Sequence, residues 1–315
     1  LKQLYLANAQ RNLRLTQKLL QVLRFLASQG IEALPLKGPA LAVQAYGDLC
    51  ARTITDLDIL IHRQDLFRAC ELLPQLGFSP WLPFGPGEKR WLLWSATALE
   101  LTDGDNLLDV HWALHQWLWP IKMDPFWRQL RALPLNGVDV PALSAENSIL
   151  LLCVVGARDQ WSQLKLIADL AHLICAYPDL DWNALLGRAQ MLGARKMVCL
   201  GLRMASEFGG AHLPPEVSAQ LLLGPAAERL AVILKGRLFA APENWGKDSA
   251  SLLPLSERFR DRLHYALTPK PKDRQVIHLP AWLYPLYYLI RPLRLLILYS
   301  RAFLRSLAGR GGARG

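Results

Sequence analysis

The chain has 315 residues, 52% of them hydrophobic and 20% charged, which excludes a disordered protein and leaves room for two lobes and a sizeable core. Its net charge of +10 is concentrated in residues 258–315, which hold twelve basic and two acidic side chains, so the remainder is balanced. A broadly basic nucleic-acid-binding body is thereby excluded, and no sequence-specific nucleic acid binding is expected.

Residues 2–28 carry apolar side chains at helical spacing and stop at Gly30, which predicts a helix. "IEALPLKG" (31–38) reads as a short strand entering a glycine turn. "PALAVQAYG" (39–47) reads as a helix with proline in its first turn and glycine at its end. "RTITDLDILI" (52–61) predicts a strand over 55–61, and 63–78 predicts a helix that Pro74 can end early. A hairpin follows: a strand over 90–102, the turn "DGDN" (103–106) and a strand over 107–114. "LPLNGVDVPAL" (133–143) carries an Asn-Gly turn. From Ser144 the period is helical, through segments beginning at 144, 159, 181, 194 and 214. This predicts an N-terminal helix (1–30), a mixed α/β domain (31–143), a helical domain (144–250) and a basic, aromatic C-terminal segment (251–315) with a disordered end.

The five cysteines (Cys50, Cys70, Cys153, Cys175, Cys199) are odd in number and contain no CxxC pair. They read as reduced thiols, with no zinc site. The chain starts at Leu1 with no apolar run and cleavage site, so no signal peptide is read and a cytoplasmic protein is expected.

Asp56 and Asp58, two apart in a strand, share one face about 6–7 Å from each other. Like charges so placed are costly to bury unless a cation lies between them. Asp109, in "LLDVHWAL", is again flanked by apolar residues and shares its face with His111. If that strand lies beside 55–61, three carboxylates converge, and hard oxygen donors suit Mg²⁺ or Mn²⁺. Such a set could hold two ions about 3.5–4 Å apart, as phosphoryl transfer requires. Upstream, Lys37 and Gly38 stand between a strand and a helix. There a glycine lets backbone approach a triphosphate, and the helix N-terminus and the lysine offset its charge. Arg52 can hold a further phosphate oxygen.

These motifs, "LKGPALAVQAYGDLCARTITDLDILI" followed by "LLDVHWAL", resemble the uncharacterised bacterial nucleotidyltransferase family of the DNA polymerase β-like superfamily. The matching residues are Lys37, Gly38, Ala40, Leu41, Tyr46, Asp48, Arg52, Asp56, Asp58, Asp109, His111 and Trp112. The resemblance continues through "LSAENSILLL", "WSQLKLIADLAHLI" and "HLPAWLYPLYYLIRPLRLL". It implies an α+β fold, a mixed sheet with flanking helices followed by an all-helical domain. It also implies metal-dependent transfer of a nucleoside monophosphate from an NTP, with pyrophosphate leaving. The catalytic residues so implied are Asp56, Asp58, Asp109 and His111; the metal ligands are Asp56, Asp58 and Asp109; Lys37, Gly38 and Arg52 hold the triphosphate. Two departures stand out. Gly38 is followed by Pro39, which offers no N–H, where relatives have serine or glycine. Residues 153–161 lack the histidine that relatives carry.

The bland readings sit beside these. Asp56 and Asp58 also read as a solvated strand face, Asp109 as a surface acid near the turn, His111 as a histidine satisfied in the sheet and Arg52 as a partner of Asp48 or Asp56; Tyr46 and Asp48 read as fixing a turn, Lys165 and Asp169 as a plain i, i+4 helix pair. Trp81, Trp91, Trp94, Trp112, Trp117, Trp119 and Trp127 read as core and groove packing. The uncharged run 279–290 is too short to span a bilayer, so the tail docks on the body or makes peripheral membrane contact through 279–305. The acceptor, a small molecule, peptide or protein, is not legible. A second reading from another class is a non-catalytic scaffold of the same fold, attached to a membrane or an acidic partner by its tail.

Overall fold

The computed structural model describes residues 2–81, 96–114, 121, 123–238 and 279–296, with a few isolated positions between them. The expected disordered end, and Trp91, Trp94, Trp117 and Trp119, lie outside the described residues.

A long helix, α1 (Lys2–Ser28), opens the chain and buries Leu15, Leu19, Val22, Leu23 and Leu26 along one stripe. There follow β1 (Ala33–Pro35), α2 (Gly38–Tyr46), β2 (Leu57–Ile61), α3 (Leu66–Leu72), β3 (Ser79–Pro80), β4 (Ala98–Thr102) and β5 (Leu107–His111). These strands form one mixed sheet in the order β1-β2-β5-β4-β3. The pair β2–β5 is parallel and the others are antiparallel. After a short helix, α4 (Asp124–Trp127), the strands β6 (Leu130–Leu135) and β7 (Val138–Leu143) form a separate two-stranded sheet. Asn136 and Gly137 both take positive φ at its turn, as an Asn-Gly hairpin requires.

The helical region comprises α5 (Ala145–Arg158), α6 (Leu164–Ala176), α7 (Trp182–Leu192), α8 (Arg195–Gly209), the single turn α9 (Pro215–Ser218) and α10 (Pro225–Arg237). Ser144 caps α5 and Asp181 caps α7 through their side-chain oxygens. Helix α5 is buried almost throughout, so the other helices pack around it.

Two hydrophobic clusters clasp the five-stranded sheet. Leu57, Ile59, Ile61, Leu99, Leu101, Leu108 and Val110 pack with α1 and α3. On the other face Leu34, Leu36 and Leu60 join the core of the helical region. The acids at Asp58 and Asp109 alternate with the first set, so they face the helices.

Three expectations change. The strand expected over 90–102 is confined to Ala98–Thr102, and the described residues Leu92 and Leu93 are helical. The helix expected over 63–78 keeps only α3; Pro74 lies in a 3-10 turn that ends at left-handed Gly77. Helix α10 and the two-residue β3 were not foreseen. Among the described residues, no helix is long and apolar enough to cross a membrane.

Candidate active site

Parallel pairing of β2 with β5 sets Asp58 directly beside Asp109 and Leu60 beside His111. Residues paired in this way share a face, and so do Asp109 and His111, two apart. Ligand atoms of Asp58, Asp109 and His111 all lie within 4.8 Å of one another. Asp58 and His111 are buried and Asp109 is half-buried. Asp56 precedes β2, is half-buried, and stands outside that trio; its Oδ1 accepts from the Thr55 hydroxyl at 2.7 Å.

Lys37 comes into the site from the other side of β2. The Leu36 N–H donates to the Asp58 carbonyl at 3.0 Å and extends the β1–β2 ladder by one bond. That places the Lys37 ammonium 3.0 Å from Asp58 Oδ1, and His111 Nε2 reaches the same oxygen at 3.0 Å. Burial alone would raise the proton affinity of Asp58. The charge of Lys37, then the hydrogen bond and charge of His111, override it and hold the carboxyl well below the usual range. Among the described residues, Asp109 has no such partner. Burial first, then the charges of Asp58, Glu100 and Asp56, push it up to about 7, against a smaller opposing effect of Lys37. A carboxylate left this uncompensated beside others is a donor set that suits a hard divalent cation.

Gly38 opens α2 with φ at +59°, and a Cβ there would lie 3.4 Å from the Asp56 carbonyl oxygen. Glycine thus meets both a left-handed backbone and a close approach. Pro39 takes a first-turn position whose N–H has no partner within the helix in any case.

Arg52 is placed differently from the expectation. Its Nε lies 3.0 Å from both oxygens of Asp169 on α6, with both side chains buried. Tyr46 donates to the same carboxylate at 2.9 Å, and burial followed by the Asp169 charge raises its phenol. The Arg52 carbonyl in turn accepts from buried Asn12 of α1 at 2.7 Å. Asp169 therefore pairs across the lobes and not with Lys165, whose ammonium donates to the Thr53 carbonyl at 3.0 Å. Asp48 Oδ1 accepts from the Cys50 N–H at 2.8 Å within its own turn.

Sequence reading missed two groups at this site. Glu100 lies opposite Asp109 across β4–β5, and the alternation of "ALELT" carried that signal. Arg158 closes α5, and its charge is coupled to those of Asp58 and Asp109. Among the tryptophans, Trp112 is buried and Trp127 stacks on His62 at 4.1 Å, whereas Trp81 is 59% exposed rather than packed in the core.

No curated protein matches the chain in sequence. Solved structures that resemble it do so at low identity, among them the following two. One is the lincosamide antibiotic adenylyltransferase LnuA bound to lincomycin, at 16% identity, over 42% of this chain and 83% of that one, with a TM-score of 0.31. The other is the antibiotic-resistance factor ANT(2'')-Ia, at 12% identity, over 72% and 94% respectively, with a TM-score of 0.36. The family described as "Uncharacterised nucleotidyltransferase" matches residues 1–210, two thirds of the chain, including every acid discussed above. With that match, the chain belongs to the uncharacterised nucleotidyltransferase family and is a nucleotidyltransferase.

Proposed function

We propose that the chain moves a nucleoside monophosphate from an NTP to a hydroxyl acceptor, releasing pyrophosphate, and that Mg²⁺ or Mn²⁺ held by Asp56, Asp58 and Asp109 is required. The observation that carries this reading is the pairing of Asp58 with Asp109 on adjacent parallel strands, where Asp109 is starved of positive charge. When bound, the cation offsets charge on the transferring phosphoryl group. The chain's own residues do the rest. Lys37 and the N-terminus of α2 at Gly38 hold phosphate oxygens. His111 fixes the rotamer of Asp58. Asp109 completes the metal site and helps take the proton of the acceptor hydroxyl. Arg52 acts through the segment that it anchors. The rate gain comes from positioning and charge neutralisation.

The acceptor is a small molecule, a peptide or a protein side chain. The test is to incubate each of the four labelled NTPs with lysate and either metal, and to ask what acquires label. Calorimetry that finds no metal-dependent NTP binding to the wild-type chain overturns the proposal.

For the tail, we propose peripheral contact with an anionic membrane through 279–305. Tyr287 and Arg291 are buried, whereas Leu286, Leu289, Leu293 and Leu296 are exposed. The spacing of these leucines puts them on one stripe, and the surrounding segment is strongly basic. Co-sedimentation with anionic but not neutral liposomes, lost on deleting 279–315, is the expected result. Equal binding by the truncated chain removes this part.

A further inference from the structure

We infer that Trp81 and Glu100 form the acceptor subsite, and that the acceptor is a small hydroxyl compound carrying a protonated amine and an aromatic ring. This rests on the nucleotidyl-transfer reading and names the acceptor class that the reading leaves open.

One row of side chains crosses the sheet from β2 to the end of β3. Asp58 of β2 is paired with Asp109 of β5, and Asp109 with Glu100 of β4. The β3–β4 register pairs Ser79 with Thr102 and Pro80 with Leu101. It continues to Trp81 opposite Glu100, where the Trp81 N–H donates to the Glu100 carbonyl at 2.9 Å. Residues paired directly across strands share a face. Their neighbours Leu57, Ile59, Leu99, Leu101, Leu108 and Val110 alternate with the row and pack on the opposite face. Neighbouring strands lie about 5 Å apart, so along the row Glu100 stands about 5 Å from Asp109 and Trp81 about 10 Å from it.

The row climbs from the core into solvent. Asp58 is buried, Asp109 is half-buried, and Glu100 and Trp81 are exposed, Trp81 at 59%. Lys37 is spent on Asp58 at the buried end, and among the described residues no cation pairs with Glu100. The open end of the row therefore presents an uncompensated carboxylate beside an indole held out to water, in line with the reacting acids. An indole so placed gains by covering its face with a ring or a cation.

The direction of transfer decides what comes to this end. Attacking and leaving oxygens lie in line on opposite sides of the α-phosphorus. The acceptor oxygen bonds to that phosphorus and its proton passes toward Asp109; the bond to the bridging oxygen breaks, and pyrophosphate keeps the electron pair. Pyrophosphate is held at the Lys37 and Gly38 end, so the acceptor enters from the other end, past Trp81 and Glu100. There the carboxylate selects a charged nitrogen and the indole takes the ring. Hydroxyl, nitrogen and ring thus follow one another along the acceptor in the order of Asp109, Glu100 and Trp81. A nucleobase, which carries no positive charge, gains nothing from Glu100.

The test measures binding to the full chain, with Mg²⁺, by ligand-observed NMR. The probe is N-benzylpropanolamine, which carries hydroxyl, ammonium and ring in that order. Its controls are the neutral benzyl hydroxypropyl ether and the ringless N-methylpropanolamine. Wild type should hold the probe about fivefold tighter than either control, the worth of an exposed ion pair or cation–π contact. Glu100→Gln should erase the preference over the ether. Trp81→Ala should erase the preference over the ringless amine, and Trp81→Phe should recover much of it. Circular dichroism should show each variant folded, and calorimetry should show NTP binding within about threefold of wild type. If wild type does not bind the probe, binds all three compounds equally, or keeps its preferences in both variants, the inference is wrong, while NTP binding leaves nucleotidyl transfer standing. If Trp81→Ala weakens NTP more than the probe, the indole carries a nucleobase and the inference is again wrong. If the preferences hold but wild type binds no NTP, the amine site stands and the transfer reading falls.

Discussion

Arg52 and Asp169 form a buried ion pair, Nε to both carboxylate oxygens at 3.0 Å, that ties the segment leading to Asp56 onto helix α6. The same arginine's carbonyl is held by Asn12, so one residue joins α1, the segment ahead of β2, and the helical region. Removing one partner of a buried pair strands the other charge, which costs about 3–5 kcal/mol. Arg52→Met is therefore expected to lower stability by about that amount in urea denaturation. Arg52→Met with Asp169→Leu should recover part of it. A loss in the single variant below about 1 kcal/mol would remove the pair from this role.

Asp109 gives the protein a pH signature. Its folded pKa of about 7 exceeds the ordinary carboxylate value, so between the two the folded state binds more protons than the unfolded one. Stability contributed by this group is therefore lost as pH rises from about 4 to about 7. Asp109→Asn should raise Tm by about 2–4 °C at pH 8 and by nothing at pH 4. Adding Mg²⁺ to wild type should supply the missing charge and raise Tm at pH 8 by mass action. A Tm difference between variant and wild type that is the same at both pH values contradicts this.

Asp58→Asn keeps the shape of the side chain and its contact with His111, but removes the charge that meets Lys37. Metal-dependent NTP turnover should fall at least about a thousandfold, the range of a lost principal electrostatic group. Circular dichroism should stay as in wild type. Turnover within tenfold of wild type would move the metal elsewhere.

Gly156→Ala places a methyl group 2.5 Å from the Trp161 ring, between a buried helix and a fully buried indole. Overpacking of this kind costs about 1–3 kcal/mol. Gly156→Ala combined with Trp161→Leu should lose less than the two changes summed, because the smaller side chain makes room. Strict additivity in a double-mutant cycle would mean that the ring does not sit in that notch.

Much of this was legible in the residues. The alternation around Asp58, Asp109 and His111 places those side chains on strand faces because the period of a strand is two, whereas Asp56, expected in the same strand, falls just ahead of β2. That β5 lies beside β2, and parallel to it, is pairing that local pattern does not encode, so the sequence offers that adjacency only as a condition. Arg52 shows the limit. A guanidinium four residues from an acid pair looks the same in sequence whether it meets a phosphate or a carboxylate more than a hundred residues away. Asp169 was likewise read against its helical neighbour Lys165, since only i, i+4 partners are visible locally. Trp161 and its glycines are legible only in three dimensions. The aromatic residue, the helix-interior Gly156 and the distant Gly201 carry no shared period.

Lys37 stays on Asp58 much as a counter-ion stays on an exchange resin. Loading this site is then a swap and not an addition. For a divalent ion to claim that oxygen, the ammonium must let go, and an incoming phosphate gives it somewhere better to be. Under the proposed metal-dependent transfer, metal and nucleotide should therefore arrive as a couple, each tightening the other's hold, with metal on its own held less firmly.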